Sequence, residues 1–360
     1  MNKIFDINSL MKPTNKVINE AGAILQQNPS NQEAFTVLNE WRALHALPLV
    51  RLRTNIHNYF KENKKGRTIV QRLKRIPTII NKLSRVDVKL HAFQDIGGLR
   101  VIVDDISQVY SLQKWLSGDN KRSDFSFIQD KCTDYIESPK TRDKKGGCAY
   151  RSLHIIYKYN VPNDIEHNQL KIELQIRTKL QNLWSTAVEV IDIIEKQSIK
   201  FGKGSEDWHN FFAIVSSIFA YREKTNRFIE HNLMSEEDLI NEFIKLENVL
   251  KPIEKLTNIQ HIATNIQKLN KNTKYCLIVL DTANQQTNIT EFSEQNESDA
   301  HQKYAETEQN IMQHNLPKIA LLAHADNIKK LKQGYLAYFL DVQEFVIELQ
   351  KIKSRFNTAK

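Results

Sequence analysis

Apolar positions along the chain change their spacing several times, and each change marks an element. Val17, Ile18, Ala21, Ile24 and Leu25 recur at three- and four-residue steps, and Phe35, Leu38, Trp41 and Leu44 repeat the pattern, so residues 1–60 read as helical. Asn31 stands just before the second set, where an Asx side chain can accept an orphan amide. Ile69, Leu73, Ile76, Ile80 and Leu83 continue the helical step, and Pro77 inside it predicts a kink or two joined helices. On that reading Arg72, Arg75 and Lys82 share a face beside the stripe, with Lys74 turned further round. The spacing then shortens. Gly98–Val103 is a short β-rich run, Val109 to Leu116 reads as a helix, and Cys132–Ile136, Leu153–Tyr159 and Leu170–Ile176 read as strands. Leu180, Leu183, Trp184, Ala187, Val188 and Ile191 mark a helix over Lys179–Lys196. This order predicts an α+β domain, a mixed β-sheet flanked by helices.

The remainder divides in two. Residues 205–270 read as all-helical, with Trp208, Phe211, Phe212, Val215, Ile218 and Phe219 on one stripe. A small α/β domain follows: strand Tyr275–Leu280, a polar loop Asp281–Phe292, an exposed helix Ser293–His314, strand Ile319–Leu322 and an amphipathic helix Ala337–Lys353. The aromatic run Tyr335–Phe339 reads as core packing, with an interaction surface as the alternative. The predicted organisation is an N-terminal helical segment (1–60), an α+β domain (61–200), a helical region (201–270) and a C-terminal α/β domain (271–360). There is no internal repeat.

Composition narrows the class. The chain has 360 residues, 41% hydrophobic and 26% charged, as expected of a soluble globular protein of two or more cores. No apolar run approaches the ~18–20 residues of a membrane span, so no membrane partner is expected. The N-terminus lacks an apolar signal core. Cys132, Cys148 and Cys276 are widely spaced and form no CxxC pair, which suits free thiols in a reducing cytoplasm. The net charge is +9, and between Lys61 and Arg100 eleven Lys/Arg stand against three Asp/Glu. Such a field attracts nucleotides, RNA or other polyanions, with a solvated basic helix face as the plainer alternative.

The candidate chemistry sits where the pattern is strand-like. In Lys171–Thr178, Ile172, Leu174 and Ile176 alternate with Glu173, Gln175 and Arg177. One face enters a core; the other presents a carboxylate, an amide and a guanidinium in a row. Upstream, Asp143–Gly147 is a flexible basic loop whose amides could approach phosphates. Tyr150 and His154 follow it, a ring able to stack on a base and an imidazole able to bond a phosphate or sugar.

Six motifs then fall in a fixed order: Arg72-x-Lys74, Lys82, Asp95-Ile-Gly-Gly-Leu-Arg100, Asp134-Tyr-Ile-x-x-Pro-Lys140, Tyr150-x-Ser-x-His154 and Glu173-x-Gln175-x-Arg177-Thr178. Together they resemble the alarmone synthetase domain of the RelA/SpoT family, over about residues 45–200. The resemblance implies a nucleotidyltransferase-like sheet and transfer of the pyrophosphate of ATP to the 3′-hydroxyl of GDP or GTP. It implies that Arg72, Lys74, Lys82 and Arg100 hold ATP and that Asp95 and Glu173 hold Mg²⁺, with Glu173 also the general base. It further implies that Lys140, Tyr150, His154, Gln175 and Arg177 serve the acceptor, with Tyr150 stacked on its base.

The sequence departs from the family pattern at Cys148-Ala149-Tyr150, where Asn-Gly-Tyr is usual, and its glycine pair stands earlier, at Gly146-Gly147. These departures fall on the acceptor side, so the 3′-CCA end of tRNA, pyrophosphorylated in toxin-like fashion, is the alternative acceptor. A non-catalytic nucleotide- or RNA-binding domain is the reading from another class. No His-Asp dipeptide occurs, so the hydrolase domain of the long relatives is not expected. An unopposed synthetase calls for restraint, by the C-terminal domain or by an antitoxin partner.

Overall fold

The computed structural model describes residues 12–63, 68–74, 76–117, 127–139, 149–195, 199, 202–257, 273, 275–281, 286–314, 316, 318–324 and 341–355. The chain forms two compact units, Met1–Ile136 with Arg151–Lys179, and Glu137–Tyr150 with Leu180–Lys360. These units divide the chain differently from the sequence-based boundaries at 60, 200 and 270. The connection that begins at Glu137 and ends at Tyr150 belongs with the C-terminal helices.

The first unit opens with helices α1 (Asn15–Gln27), α2 (Gln32–Leu44) and α3 (Ala46–Asn63). Thr14 caps α1, and Asn31 caps α2 as its sequence position implied, accepting the Ala34 amide at 2.9 Å. Strands β1 (Thr68–Leu73), β2 (Gly97–Val103), β3 (Phe127–Asp134), β4 (Leu153–Tyr159) and β5 (Lys171–Thr178) make one sheet in the order β1-β2-β5-β4-β3. Only β2 and β5 run parallel; the other neighbours are antiparallel, so the sheet is mixed, as expected. Helix α4 (Ile76–Leu83) follows β1, and α5 (Ile106–Ser117) follows β2.

Alternation decides the two faces of the sheet. Leu99, Val101, Val103, Ile155, Tyr157, Tyr159, Ile172, Leu174 and Ile176 are buried in one cluster with Leu52, Ile56 and Phe60 of α3 and Val109 and Leu112 of α5. The opposite face carries Arg72, Gly98, Arg100, His154, Glu173, Gln175 and Arg177. A second cluster packs Ile18, Leu25, Leu38 and Trp41 against Ile79 and Leu83 of α4 and Phe93.

Three sequence expectations fail here. The stripe from Ile69 to Leu83 is not helical throughout: Thr68–Leu73 is an edge strand paired antiparallel with β2, so Arg72 is a strand residue. Ile69, Leu73 and Ile76 suit either period, and the ladder that selects the strand is supplied by residues some thirty positions later. Pro77 sits in the first turn of α4, where its missing N–H is harmless, so it starts a helix rather than kinking one. In the second unit, the polar stretch ending at Phe292 contains a strand, β7 (Gln286–Phe292), with Thr287, Ile289 and Thr290 in register with β6 (Tyr275–Asp281). As an edge strand it needs only one apolar face, which hid it.

In the second unit, α6 (Lys179–Ile194), α7 (Glu206–Glu223) and α8 (Glu236–Leu250) pack together, with a short helix α9 (252–257) after them. Ser205 caps α7, and Ser235 with Asp238 forms a capping box on α8. Every residue from Phe211 to Ala220 is buried, so α7 is a core helix rather than one with a single apolar stripe. Strands β7-β6-β8 (β8, Lys318–His324) form a small antiparallel sheet with α10 (Glu297–Gln313). The last helix, α11 (341–355), was expected to belong with that sheet. Instead Val342, Phe345, Val346, Leu349 and Ile352 join the α6–α8 core, and Asn182 donates to Asp341 at 2.7 Å. Cys132 and Cys276 are free thiols. Cys148, Arg75, the Asp143–Gly147 loop and the Tyr335–Phe339 run lie outside the described residues. Among the described residues, no helix is long and apolar enough to cross a membrane.

Candidate active site

The polar face of the first sheet gathers most of the expected residues, and strand register explains how. Arg72 pairs with Gly98, Gly98 with Glu173, and Glu173 with Ile156, which makes one row across four strands. The next row runs Val70, Arg100, Gln175, His154 and Thr133. Paired residues point to the same side, so two guanidinium groups, a carboxylate, an amide and an imidazole share one surface. Gly98 leaves open the space between Arg72 and Glu173. The neighbouring Gly97 points the other way, where a Cβ would meet Ile172 Cδ1 at 2.6 Å. The two glycines of Asp95-Ile-Gly-Gly-Leu-Arg100 therefore do different jobs: one admits packing, the other keeps the face clear.

Glu173 is the centre of a polar chain. His154 Nδ1 lies 3.1 Å from its Oε1, and Gln175 Nε2 donates to its Oε2 at 2.9 Å. Arg177 donates to Gln175 Oε1 at 2.9 Å and to Ser152 Oγ at 3.4 Å, and Ser152 in turn donates to the Ile176 carbonyl. Burial alone would raise the Glu173 carboxyl. The hydrogen bond and charge of His154, the Gln175 amide and the charge of Lys74 outweigh it and hold the group down at about 2.

Asp95 lies just before β2. Lys74 Nζ reaches Asp95 Oδ2 at 2.7 Å and Lys82 Nζ reaches it at 2.8 Å. Burial would raise this carboxyl too, but the two ammonium groups hold it below its ordinary range. The lysines are set by their own supports. The Lys74 amide donates to the Ile96 carbonyl, Arg42 Nε donates to the Lys74 carbonyl at 2.6 Å, and Lys82 Nζ sits 4.6 Å from the centre of the Phe93 ring. Lys74 touches Asp95 and lowers Glu173 electrostatically, so it links the two carboxylates.

Among the described residues no group of three or more His, Cys, Asp or Glu could hold a metal ion. Asp95 and Glu173 are hard oxygen donors, and Mg²⁺ commonly binds through one or two carboxylates plus substrate phosphates. Both carboxylates are ionised donors of that kind, and Asp95 is already paired with the Lys74 and Lys82 ammonium groups.

Tyr150 belongs to the second unit. Its ring lies 6.2 Å from that of Trp184, tilted by 56°, and it packs on the edge of the helical core. Lys140 lies outside the described residues. Ala149, just before Tyr150, is fully buried with φ 58°. A left-handed alanine costs roughly 1–2 kcal/mol relative to an ordinary conformation.

Several contributing residues were not singled out from the sequence. Phe93 and Arg42 act through contacts that no local pattern reports, and Ser152, legible within Tyr150-x-Ser-x-His154, had no assigned role. Tyr135 was legible as part of Asp134-Tyr135-Ile136 but had no assigned role; its ring meets His154 edge-on at 5.2 Å, and its amide donates to the Ser152 carbonyl. Asp134 accepts from the Ile136 amide and from Tyr110, which fixes that turn.

Comparison with known proteins places this region. Residues 71–192 match the family model described as "Region found in RelA / SpoT proteins". The chain is similar to GTP pyrophosphokinase YjbM of Bacillus subtilis, 26% identical over 160 residues, which is 42% of this chain and 71% of the relative. It is similar to GTP pyrophosphokinase YwaC of the same organism, 33% identical over 124 residues, which is 32% of this chain and only 52% of that relative. Small alarmone synthetase 2 from Bacillus subtilis is a solved structure with 24% identity, covering 51% of this chain and 92% of that chain at a TM-score of 0.43.

Proposed function

We propose that residues 71–192, which match the family model described as "Region found in RelA / SpoT proteins", form a RelA/SpoT-type synthetase domain, and that the chain is an ATP-dependent pyrophosphokinase making a (p)ppGpp-type alarmone. It moves the pyrophosphate of ATP to the 3′-hydroxyl of GDP or GTP. The observation that carries this reading is the polar sheet face, where Glu173 is buttressed by His154, Gln175 and Lys74 beside the Asp95–Lys74–Lys82 cluster. The names of the two Bacillus relatives support the reaction class.

Arg72, Lys74, Lys82 and Arg100 are four cations against the two carboxylates Asp95 and Glu173. That surplus suits a triphosphate. Binding exchanges one anion for another: Lys74 and Lys82 turn from Asp95 to the phosphates and free the carboxylate. Asp95 and Glu173 would then hold Mg²⁺, whose contribution is to neutralise charge that develops across the phosphates. Tyr150 and Lys140 receive the acceptor, the ring against its base and the ammonium against its phosphates.

Glu173 accepts the proton of the 3′-hydroxyl as the new O–P bond forms and the bond to the α-phosphate oxygen breaks, releasing AMP. A carboxylate held near 2 is ionised at neutral pH but weakly basic. Moving His154 from Glu173 to an acceptor phosphate removes one donor from the carboxylate and raises its basicity when the acceptor is in place.

The test incubates full-length protein with Mg²⁺ and ATP labelled at its β- and γ-phosphates, offering GDP, GTP, ATP or bulk tRNA, with Glu173→Gln as control. Label in guanosine tetra- or pentaphosphate is the expected result. Label in tRNA alone redirects the reading to the tRNA 3′ end. No acceptor labelled above the Glu173→Gln control overturns it.

A further inference from the structure

Among the described residues, four other than glycine have left-handed φ: Ala149, Gln169, Lys224 and Lys251. Lys224 and Lys251 end helices, and Gln169 is an exposed residue ahead of β5. Ala149 is different. It is fully buried, it immediately precedes Tyr150, and it packs against Ala213 of α7 and against Phe228. A strained residue persists only where its surroundings over-determine it.

The surroundings here are α7. Ser216 is a buried hydroxyl on a helix whose neighbours from Phe211 to Ala220 are all buried. A buried hydroxyl is costly unless hydrogen-bonded. Ser216 Oγ donates to the Ala149 carbonyl at 2.6 Å, across 67 residues of sequence. Trp184, which flanks the Tyr150 ring, is held by the same helix, its Nε1 donating to the Phe212 carbonyl at 2.8 Å. Beyond the end of α7, Asn226 Nδ2 donates to the Glu137 carbonyl at 2.8 Å, at the other described end of the same connection.

We propose that Ser216 is a positioning residue for the acceptor. Its bond to the Ala149 carbonyl holds that alanine left-handed, and this sets the direction in which Tyr150 presents its ring. The proposal rests on the transferase reading for the meaning of "acceptor", but the anchor can be measured without it. It also gives the C-terminal helices a part in acceptor selection, distinct from a separate regulatory module.

The test compares Ser216→Ala, Ser216→Thr and the double variant Ala149→Gly/Ser216→Ala in the full chain. Loss of one buried hydrogen bond corresponds to about a five-fold rise in acceptor KM. That rise is expected in Ser216→Ala with the ATP KM unchanged. Ser216→Thr keeps the hydroxyl and restores the wild-type value. Ala149→Gly removes the strain that Ser216 opposes, so the double variant returns to within about two-fold of wild type. Hydrogen exchange of the amides at 149–153 is the second readout, expected to speed up in Ser216→Ala and to recover in Ser216→Thr. An unchanged acceptor KM with unchanged exchange overturns the proposal. So does a parallel rise in both KM values, or a double variant as impaired as Ser216→Ala. If the wild-type protein labels no acceptor, the transferase reading falls, and the exchange rates alone judge the anchor.

Discussion

The polar sheet face of the first unit and the segment that carries Tyr150 in the second are built in opposite ways. The polar face is made from one sheet and its adjoining turns. Lys74, Lys82 and Asp95 form a closed ion-pair cluster, and Glu173 completes its hydrogen bonds with His154 and Gln175 from its own and the neighbouring strand. Tyr150 follows a left-handed alanine and depends on α6 and α7 for its support. A polar network on paired strands is fixed by register, while Tyr150 is fixed by packing against helices distant in sequence.

The largest effect that would sharpen this contrast is at Glu173. Glu173→Gln keeps the size of the side chain but removes the base, and kcat should fall roughly 100- to 10,000-fold with little change in nucleotide binding. Steady-state transfer of labelled pyrophosphate measures it; a fall in binding with kcat preserved would break the assignment.

Acid should affect the polar sheet face next. The Glu173 carboxyl sits at about 2 against an ordinary 4.5, so it stabilises the fold above about 4.5 and that share is lost as the pH falls toward 2. The full loss is on the order of 3 kcal/mol. Urea unfolding between pH 6 and pH 2 should show this slope in the wild type and a flatter one in Glu173→Gln; identical slopes would mean His154 and Gln175 do not stabilise the ionised form.

Under the proposed reaction, Tyr150→Ala should raise acceptor KM by about ten-fold, the lower range of base stacking, while Tyr150→Phe stays near wild type. Equal effects on ATP and acceptor would overturn the role proposed for Tyr150.

The smallest effect separates the two glycines. Gly97→Ala pushes a Cβ against Ile172 and should lower stability by about 1–3 kcal/mol. At Gly98 the nearest atoms to a Cβ are at ordinary contact distance, 3.8 Å and beyond, so Gly98→Ala should leave thermal unfolding almost unchanged. Equal shifts in Tm would contradict the register that aims them at opposite faces.

The sequence by itself determined the mixed sheet, the strands β2, β4 and β5 to within a residue or so, the Asn31 cap, and the alternation that puts Glu173, Gln175 and Arg177 on one face. These follow from local spacing, because a strand's period of two and a helix's of 3.6 are set by backbone geometry. The motif order also drew together residues of the polar sheet face, and a family likeness over 71–192 stands behind it. Only the tertiary structure decided that Thr68–Leu73 is a strand and that Gln286–Phe292 is another, since edge strands take their identity from a partner's hydrogen bonds. It alone showed that α11 belongs to the helical core. A truncation near residue 200, which the sequence-based domain boundary invites, would remove the helix that carries Ser216. Ala149 stands where the resembled pattern has a glycine, but its left-handed backbone and its partners, the Ser216 hydroxyl 67 residues away and the packing of Ala213 and Phe228, appear only in the tertiary structure. Local periodicity reports which face a residue shows; it does not report what a distant helix presses against it.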